Sequence, residues 1–386
     1  MRIVFVTPFY YPEHKFGGPP RKIHALASGL LRRQIEVMAI TFDFANARNR
    51  ERRSVENVPV QYLPWVGKGL RQLPLDRCSL SSAIRDADLI HCYGLYNFLC
   101  PLAVQFAHRY HKPTVLEPLG MYPPRARNRL AKLSYNLAIT RRMIRQSQVV
   151  IATSRAELKD LKKIVPSHKL IYRPNGIDLE RFKNLPPSDE LRVRWNLSPH
   201  ERVVLFIGRI SLIKNLEQLI LAFAEADIPR TRLLLVGPSL EESYIRKLRS
   251  IVSNKQLELR VTFCGPLYEE EQRAALGLAD LFVLPSLNES FGNAAGEAVA
   301  AGVPVLLTNT CGIAPLIDRR AGLAVPLGVE SLAKGLQVML DPVQRDLLTA
   351  QREQVKRELS WDEPIRQTME LYERIIEEKE KVGVTR

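Results

Sequence analysis

One alternation runs through this chain twice, and it limits the possible folds more than anything else in the sequence. Short apolar runs at 3–7, 37–42, 58–63, 88–91, 114–116, 149–152 and 170–172 are separated by helix-length segments such as 21–33 and 128–146. Many of the runs are rich in β-branched residues and are bounded by Pro, Gly or charge. Strands buried on both faces read this way, so the pattern predicts an α/β chain with a mostly parallel sheet covered by helices. Pro174-Asn-Gly-Ile-Asp178 is a strong turn signal, and Leu185-Pro-Pro-Ser-Asp189 follows it. A domain boundary is expected between the two. The alternation then restarts with runs at 203–207, 232–236, 259–264, 280–284 and 303–307. The tail, 361–381, reads as an amphipathic helix with Ile365, Met369, Tyr372 and Ile376 on one stripe. At 386 residues, 46% of them hydrophobic, the chain exceeds one ordinary core and suits two domains.

Composition removes several function classes. The five cysteines, at 78, 92, 100, 264 and 311, are odd in number and show no metal-knuckle spacing. They are expected as reduced thiols of a cytoplasmic protein. Met1-Arg-Ile-Val-Phe-Val-Thr-Pro8 is apolar too briefly for a signal peptide and reads as a first buried strand. No apolar run approaches the roughly 18 residues of a membrane span. Charge is unevenly divided. Up to Asp178 there are 29 Lys+Arg against 12 Asp+Glu, a balance of +17, and the remaining 27 against 29 give −2. Such asymmetry points to an anionic partner. The basic residues concentrate at Arg48, Arg50, Arg52 and Arg53, and at Arg125, Arg127, Arg129, Lys132, Arg141, Arg142 and Arg145. The partner expected is an anionic membrane surface, with the protein peripheral on its inner face. Leu130, Leu133, Leu137 and Ile144 share the second stretch and are expected on the buried side of a core helix. No nucleic-acid-binding motif accompanies the charge, so nucleic acid is not expected as a partner.

The most specific segment is Pro285-Ser-Leu-Asn-Glu-Ser-Phe-Gly-Asn-Ala-Ala-Gly-Glu297, which follows an apolar strand and enters a helix. Glu289 falls in the loop and Glu297 in the helix. Ser290, Phe291, Gly292 and Asn293 fall at the helix start, where free N–H groups and the helix dipole favour anionic or hydroxyl-rich ligands. The strand ends Phe206-Ile-Gly208 and Leu235-Val-Gly237 border the same region, because ligands of open α/β sheets bind at the carboxyl ends of strands. Arg209 and Lys214 follow the first of these. Gly17 and Gly18 sit in a strand–loop–helix connection but lack the full Gly-x-Gly-x-x-Gly spacing of a nicotinamide site.

These elements, in this order, resemble the retaining family-four glycosyltransferases. Glu289 and Glu297 stand as in that family's Glu-x7-Glu motif. Residues 1–18 resemble its first strand and glycine loop, and Pro174–Asp178 its interdomain turn. Gly208-Arg-Ile-Ser-Leu-Ile-Lys214 resembles its Gly-Arg…Lys loop, and Ala300-Ala-Gly-Val-Pro304 its strand entry after the motif helix. The resemblance implies a GT-B fold: two Rossmann-like domains, 1–180 for the acceptor and 190–360 for the donor nucleotide, with a deep interdomain cleft. It also implies that 361–386 crosses back to the N-terminal domain. A nucleotide-sugar is the implied donor and a glycan or lipid-linked molecule the implied acceptor, in surface polysaccharide or glycoconjugate assembly. Neither cofactor nor metal is implied. By position, Glu289 contacts the donor sugar, Glu297 the ribose, and Arg209 and Lys214 the diphosphate, while Gly17 and Gly18 face the phosphates. His91 is carried over as a catalytic candidate, although a lone His at a strand end also reads as a structural hydrogen-bonder. Where the family often has His-x-His, this chain reads His91-Cys-Tyr93, which puts the acceptor-activating role in doubt. Tyr93, Glu117 and Met121 are expected along the acceptor side. Sugar-nucleotide epimerases share the fold and stand as the alternative, with a basic nucleic-acid-binding protein behind them.

Overall fold

The computed structural model describes the chain except residues 14, 15, 17, 68–71, 125–128, 240, 385 and 386, and it does not describe the side chains of 129, 380 and 382–384. The chain divides into two compact units. One comprises Met1–Gly176 with Trp361–Arg386, the other Ile177–Ser360.

The first unit is built on β1 (Arg2–Val6), β2 (Glu36–Phe42), β3 (Arg52–Val55), β4 (Val58–Leu63), β5 (Leu89–Tyr93), β6 (Thr114–Glu117), β7 (Val149–Ala152) and β8 (Leu170–Tyr172). Their order is β8-β7-β6-β5-β1-β2-β4-β3, and every pairing is parallel except that of β3 with β4. β3 was not foreseen, because it is charged and mostly exposed rather than apolar. It carries Arg52 and Arg53 of the first basic cluster, and Arg53 donates to the Tyr62 hydroxyl at 3.1 Å. Charged residues on an edge strand discourage pairing with other chains, so these two arginines have a structural use that the sequence reading did not give them.

Helices cover both faces of this sheet, each over its own core. α1 (Gly18–Arg32) opens with Pro19 and Pro20 in its first turn, where the missing N–H costs nothing. A second helix, α2, runs over 129–146 as Arg129–Tyr135, a π turn Asn136–Thr140, and Arg141–Gln146. The C-terminal helix, here α3 (Asp362–Val384), packs on α1. A Cβ on Gly29 would lie 2.2 Å from the Ile365 side chain, so contact at this depth needs glycine. Ile365 and Tyr372 are buried as the stripe requires, joined by Leu371 and Ile375, while Met369 and Ile376 are half-buried.

α2 corrects one expectation. Ile144 is buried, but Leu130, Leu133 and Leu137 are 83%, 48% and 65% exposed. The π turn is the reason: its extra residue shifts the phase of everything after it, so the leucines and Ile144 do not share a face. Arg125 and Arg127 lie outside the described residues.

The second unit has β9 (Arg202–Ile207), β10 (Thr231–Val236), β11 (Val261–Gly265), β12 (Leu281–Leu284), β13 (Val305–Thr308) and β14 (Gly322–Val325), ordered β11-β10-β9-β12-β13-β14 and parallel throughout. β14 was also missed, being four residues long with only its two end residues buried. Each unit is a Rossmann-like α/β layer structure, as expected.

Candidate functional site

In the second unit the candidate residues collect at the carboxyl ends of β9 and β12, which are neighbours in the sheet. β9 runs into Gly208 and β10 into Gly237, and the two turns touch. The Gly208 N–H donates to Val236 O, and a Cβ on Gly237, at φ +144°, would lie 1.9 Å from the Gly208 carbonyl oxygen. Only glycine lets the backbones approach this closely. Past Gly208 the chain makes a 3-10 turn, Leu212–Lys214, and stops at Asn215 in the left-handed region. The Asn215 amide donates to Pro285 O at 3.1 Å, and Leu287 N donates to Ile213 O at 2.9 Å. The loop after β9 is thus stitched to the loop after β12. That stitching brings Lys214 Nζ into an ion pair with Glu289 Oε2. Both side chains keep about a fifth of their surface in solvent. Arg209 is exposed and forms no ion pair among the described residues.

The Glu289 loop is held on its other side by 308–313. Thr308 and Thr310 hydroxyls both donate to Ser286 O, Gly312 N donates to Glu289 O, and Ile313 N to Phe291 O. A Cβ on Gly312 would lie 2.1 Å from Ser290 O. Gly292, at φ +109°, turns the chain into the helix Asn293–Ala300, which carries Glu297 half-buried in its middle. Phe291 is buried beneath the turn. Two buried polar atoms here, Ser286 Oγ and Asn293 Oδ1, have no hydrogen-bond partner among the described residues, and orphans of this kind in a native fold call for an explanation such as a ligand. Burial raises the thiol of Cys311, behind the loop, to about 11, against a smaller lowering by its hydrogen bond to Thr308. It stays a protonated packing group.

In the first unit the catalytic candidate His91 and the acceptor-side candidates Tyr93 and Glu117 are all fully buried rather than on an open surface. β5 and β6 lie side by side with Tyr93 opposite Glu117. Glu117 forms ion pairs with Lys22 of α1 and with Arg173, just past β8, and both cations are themselves buried. His91 Nδ1 lies 2.6 Å from the Tyr372 hydroxyl of α3 and 3.0 Å from that of Tyr93. Its Nε2 is 3.8 Å from Glu117 and has no hydrogen-bond partner among the described residues. Tyr93, standing where the family has a second histidine, stacks on the His91 ring with centroids 4.1 Å apart.

The electrostatics follow from these contacts. Burial pulls His91 down to about 3, outweighing the attraction of Glu117. For Glu117 the order reverses: burial alone would raise it, but Lys22 and Arg173 together bring it down to about 2. Lys22 shares that one carboxylate with Arg173, so its own burial is not fully offset and its pKa is lowered. The cluster therefore holds an ionised Glu117, two cations and a neutral His91. Its evident work is to tie α1, the sheet and α3 together. Of the remaining candidates, Met121 is half-buried and accepts from Leu95 N through its sulfur, and Gly18 heads α1. Gly17 lies outside the described residues. Sequence reasoning missed Lys22 and Arg173. The signal for Lys22 was present, since it stands four residues before Leu26 on the inward stripe of α1.

Comparison with known proteins agrees with this architecture. D-inositol 3-phosphate glycosyltransferase of Jonesia denitrificans is 30% identical over 249 residues, covering 60% of this chain and 58% of that protein. The chain thus spans under two thirds of that relative. The enzyme of the same name from Kineococcus radiotolerans is 27% identical, covering 94% of this chain and 92% of its own. Among solved structures, Anabaena HepE in complex with UDP and glucose superposes with a TM-score of 0.75 at 20% identity, covering 96% of this chain and 99% of that one. Residues 16–181 match the family described as Glycosyltransferase Family 4 and residues 187–355 that described as Glycosyl transferases group 1, and with its two Rossmann-like units the chain belongs to the family-four glycosyltransferases of GT-B fold.

Proposed function

We propose that this glycosyltransferase moves a sugar from a UDP- or GDP-sugar to a glycan or lipid-linked acceptor, with retention at the anomeric carbon. In this reading residues 190–360 hold the donor and 1–180 the acceptor, and the enzyme works in the cytoplasm at the inner face of a membrane, in polysaccharide or glycoconjugate assembly. The observation that carries it is the Lys214–Glu289 ion pair at the strand ends, with the exposed Arg209 in the same loop as Lys214. A nucleoside diphosphate leaving group gains negative charge as the glycosidic bond breaks, and two cations in a fixed place stabilise it. When the diphosphate takes Lys214, Glu289 is released to accept from the sugar hydroxyls. Glu297, one turn along its helix, is the ribose contact, and the turn Ser290–Asn293 supplies backbone N–H groups. The UDP and glucose bound by HepE support a uridine nucleotide as the first donor to try. His91 is proposed as a positioning residue, because it is neutral and enclosed.

The experiment compares wild type with Lys214→Ala and Glu297→Ala in donor-dependent release of nucleoside diphosphate. A lost charged contact of this kind costs about 2–4 kcal/mol of transition-state stabilisation, a loss of about 30- to 1,000-fold in kcat/KM. Wild-type turnover in either folded variant refutes the assignment. Release that needs an acceptor separates transfer from epimerisation.

A further inference from the structure

The exposed leucines of α2 and the cations that follow them form one continuous face. At about 100° per residue, Leu130, Leu133 and Leu137 share a stripe, and all three are exposed. An uninterrupted α-helix would bring Ile144 onto that stripe and swing Arg142 away from it. The chain instead makes its π turn, in which the Arg141 N–H donates to Asn136 O, five residues back. The extra residue retards the helix by one position. Met143 and Ile144 then reach the core, and Arg141, Arg142 and Arg145 extend the exposed stripe that the leucines began. None of the three arginines is in an ion pair among the described residues. π turns of this sort are commonly found where a helix has a function beyond packing.

Beside the basic end lies a cavity of about 560 Å³, lined by Arg141, Arg145, Lys163 and Lys169 with Ile144, Ile164 and Pro166. None of these lining residues is acidic. Asp160 pairs with Lys163 at 3.1 Å, Lys169 Nζ donates to the carbonyls of Arg145 and Ser147, and Glu378 lines an adjoining cavity with Arg145 and Lys169.

We propose that α2 is a two-part membrane anchor: Leu130, Leu133 and Leu137 enter the apolar layer of an anionic bilayer, and the cavity lined by Arg141, Arg145, Lys163 and Lys169 takes the phosphate of an anionic lipid headgroup. The inference rests on the reading of this enzyme as one that works at a membrane, and it adds the element, the depth and the ligand class. Charge selects the occupant. The chain up to Asp178 carries +17 (29 Lys+Arg less 12 Asp+Glu), which repels a second copy of the same face and attracts an anionic leaflet. An apolar stripe continuous with a basic one matches a bilayer, whose phosphates lie directly above its acyl chains. No helix among the described residues is long and apolar enough to span, so this contact lies in the interface.

The test is cosedimentation of the full chain with vesicles of phosphatidylcholine alone or mixed with phosphatidylglycerol, at low salt and at about 1 M salt, where the Debye length is about 3 Å. Three proteins are compared: wild type, the combined Leu130→Ser, Leu133→Ser, Leu137→Ser variant, and Arg141→Gln with Arg145→Gln. Thermal midpoint and nucleoside-diphosphate binding are measured in each as controls for folding. Wild type is expected to prefer anionic vesicles and to keep part of its binding in high salt. The leucine variant is expected to lose about 100-fold in partitioning, and the arginine variant to lose the preference for anionic lipid. Unchanged binding of the leucine variant, with all wild-type binding abolished by salt, overturns insertion and leaves a purely electrostatic membrane contact. Failure of wild type to bind either vesicle at low salt overturns both. Displacement by millimolar inorganic phosphate as effective as loss of the anionic lipid assigns the cavity to a free phosphate and overturns the headgroup site.

Discussion

Glu117→Gln is the sharpest test of the buried cluster in the first unit. The substitution keeps the shape of the side chain and removes its charge. Lys22 and Arg173, 6% and 1% exposed, then lose the one carboxylate they share. Among the described residues Arg173 Nε and Nη1 have no partner, so no second acceptor there replaces Glu117. Breaking a buried ion pair by removing one partner costs about 3–5 kcal/mol, because the uncompensated charge stays out of water. For a unit of this size each kcal/mol moves the midpoint by about 2–4 °C, so a fall of about 6–20 °C is expected in the transition that reports the first unit. Urea unfolding followed by circular dichroism measures the same loss directly. The control replaces all three groups, Lys22→Met, Glu117→Leu and Arg173→Met. Apolar replacement of a whole buried ionic cluster is often neutral or stabilising, so this triple variant is expected to be more stable than Glu117→Gln alone. A loss under about 1 kcal/mol in Glu117→Gln, or a triple variant weaker than the single one, refutes the view that these charges depend on one another.

Two further predictions follow from the same structure. Acid should unfold the first unit in two overlapping stages. His91 has a folded pKa near 3, below its unfolded value, so its contribution is present above about pH 6.5 and is lost as pH falls from there toward 3. Glu117, near 2 when folded, contributes above about pH 4.3 and loses that contribution toward 2. A His91→Gln variant should have flatter stability between about pH 6.5 and 4.3, and a profile identical to wild type there refutes the assignment. In the second unit, Gly237→Ala forces a Cβ to within 1.9 Å of the Gly208 carbonyl, whereas Gly265→Ala meets nothing within 4 Å. Gly237→Ala is therefore expected to weaken UDP binding and lower the midpoint, while Gly265→Ala, strained only by its positive φ, should cost about 1–2 kcal/mol. Calorimetric UDP titration that ranks the two the other way contradicts the close approach.

How far the sequence carried depended on the range of the interaction being read. Parallel strands announce themselves locally, because burial on both faces makes a continuous apolar run, and that is why β1, β2, β9 and β12 were legible. Arg52–Val55 was not, because an edge strand needs no apolar face and this one uses charge instead. Lys214 and Glu289 were picked out as candidate site residues through their motif, but not as each other's partner. That pairing arises only when β9 and β12 lie side by side, joining residues 75 apart. Glu117 shows the opposite case. Read locally, it was a carboxylate at a strand end and so a candidate for ligand contact. Its cations stand 95 and 56 residues away, and they convert it from an open acceptor into an enclosed structural charge. α2 fails for a third reason. A period of 3.6 carried through 128–146 puts its leucines and Ile144 on one face, and a single π turn separates them. Periodicity is a statement about phase, and one inserted residue changes the phase by about 100°, roughly the width of a helix stripe. The residues that betray such a shift are those whose chemistry contradicts their assigned face. Lys22 on the inward stripe of α1 and Leu133 on the outward stripe of α2 are both of this kind. In the first the contradiction is resolved by a buried carboxylate; in the second it is what motivates a partner outside the chain.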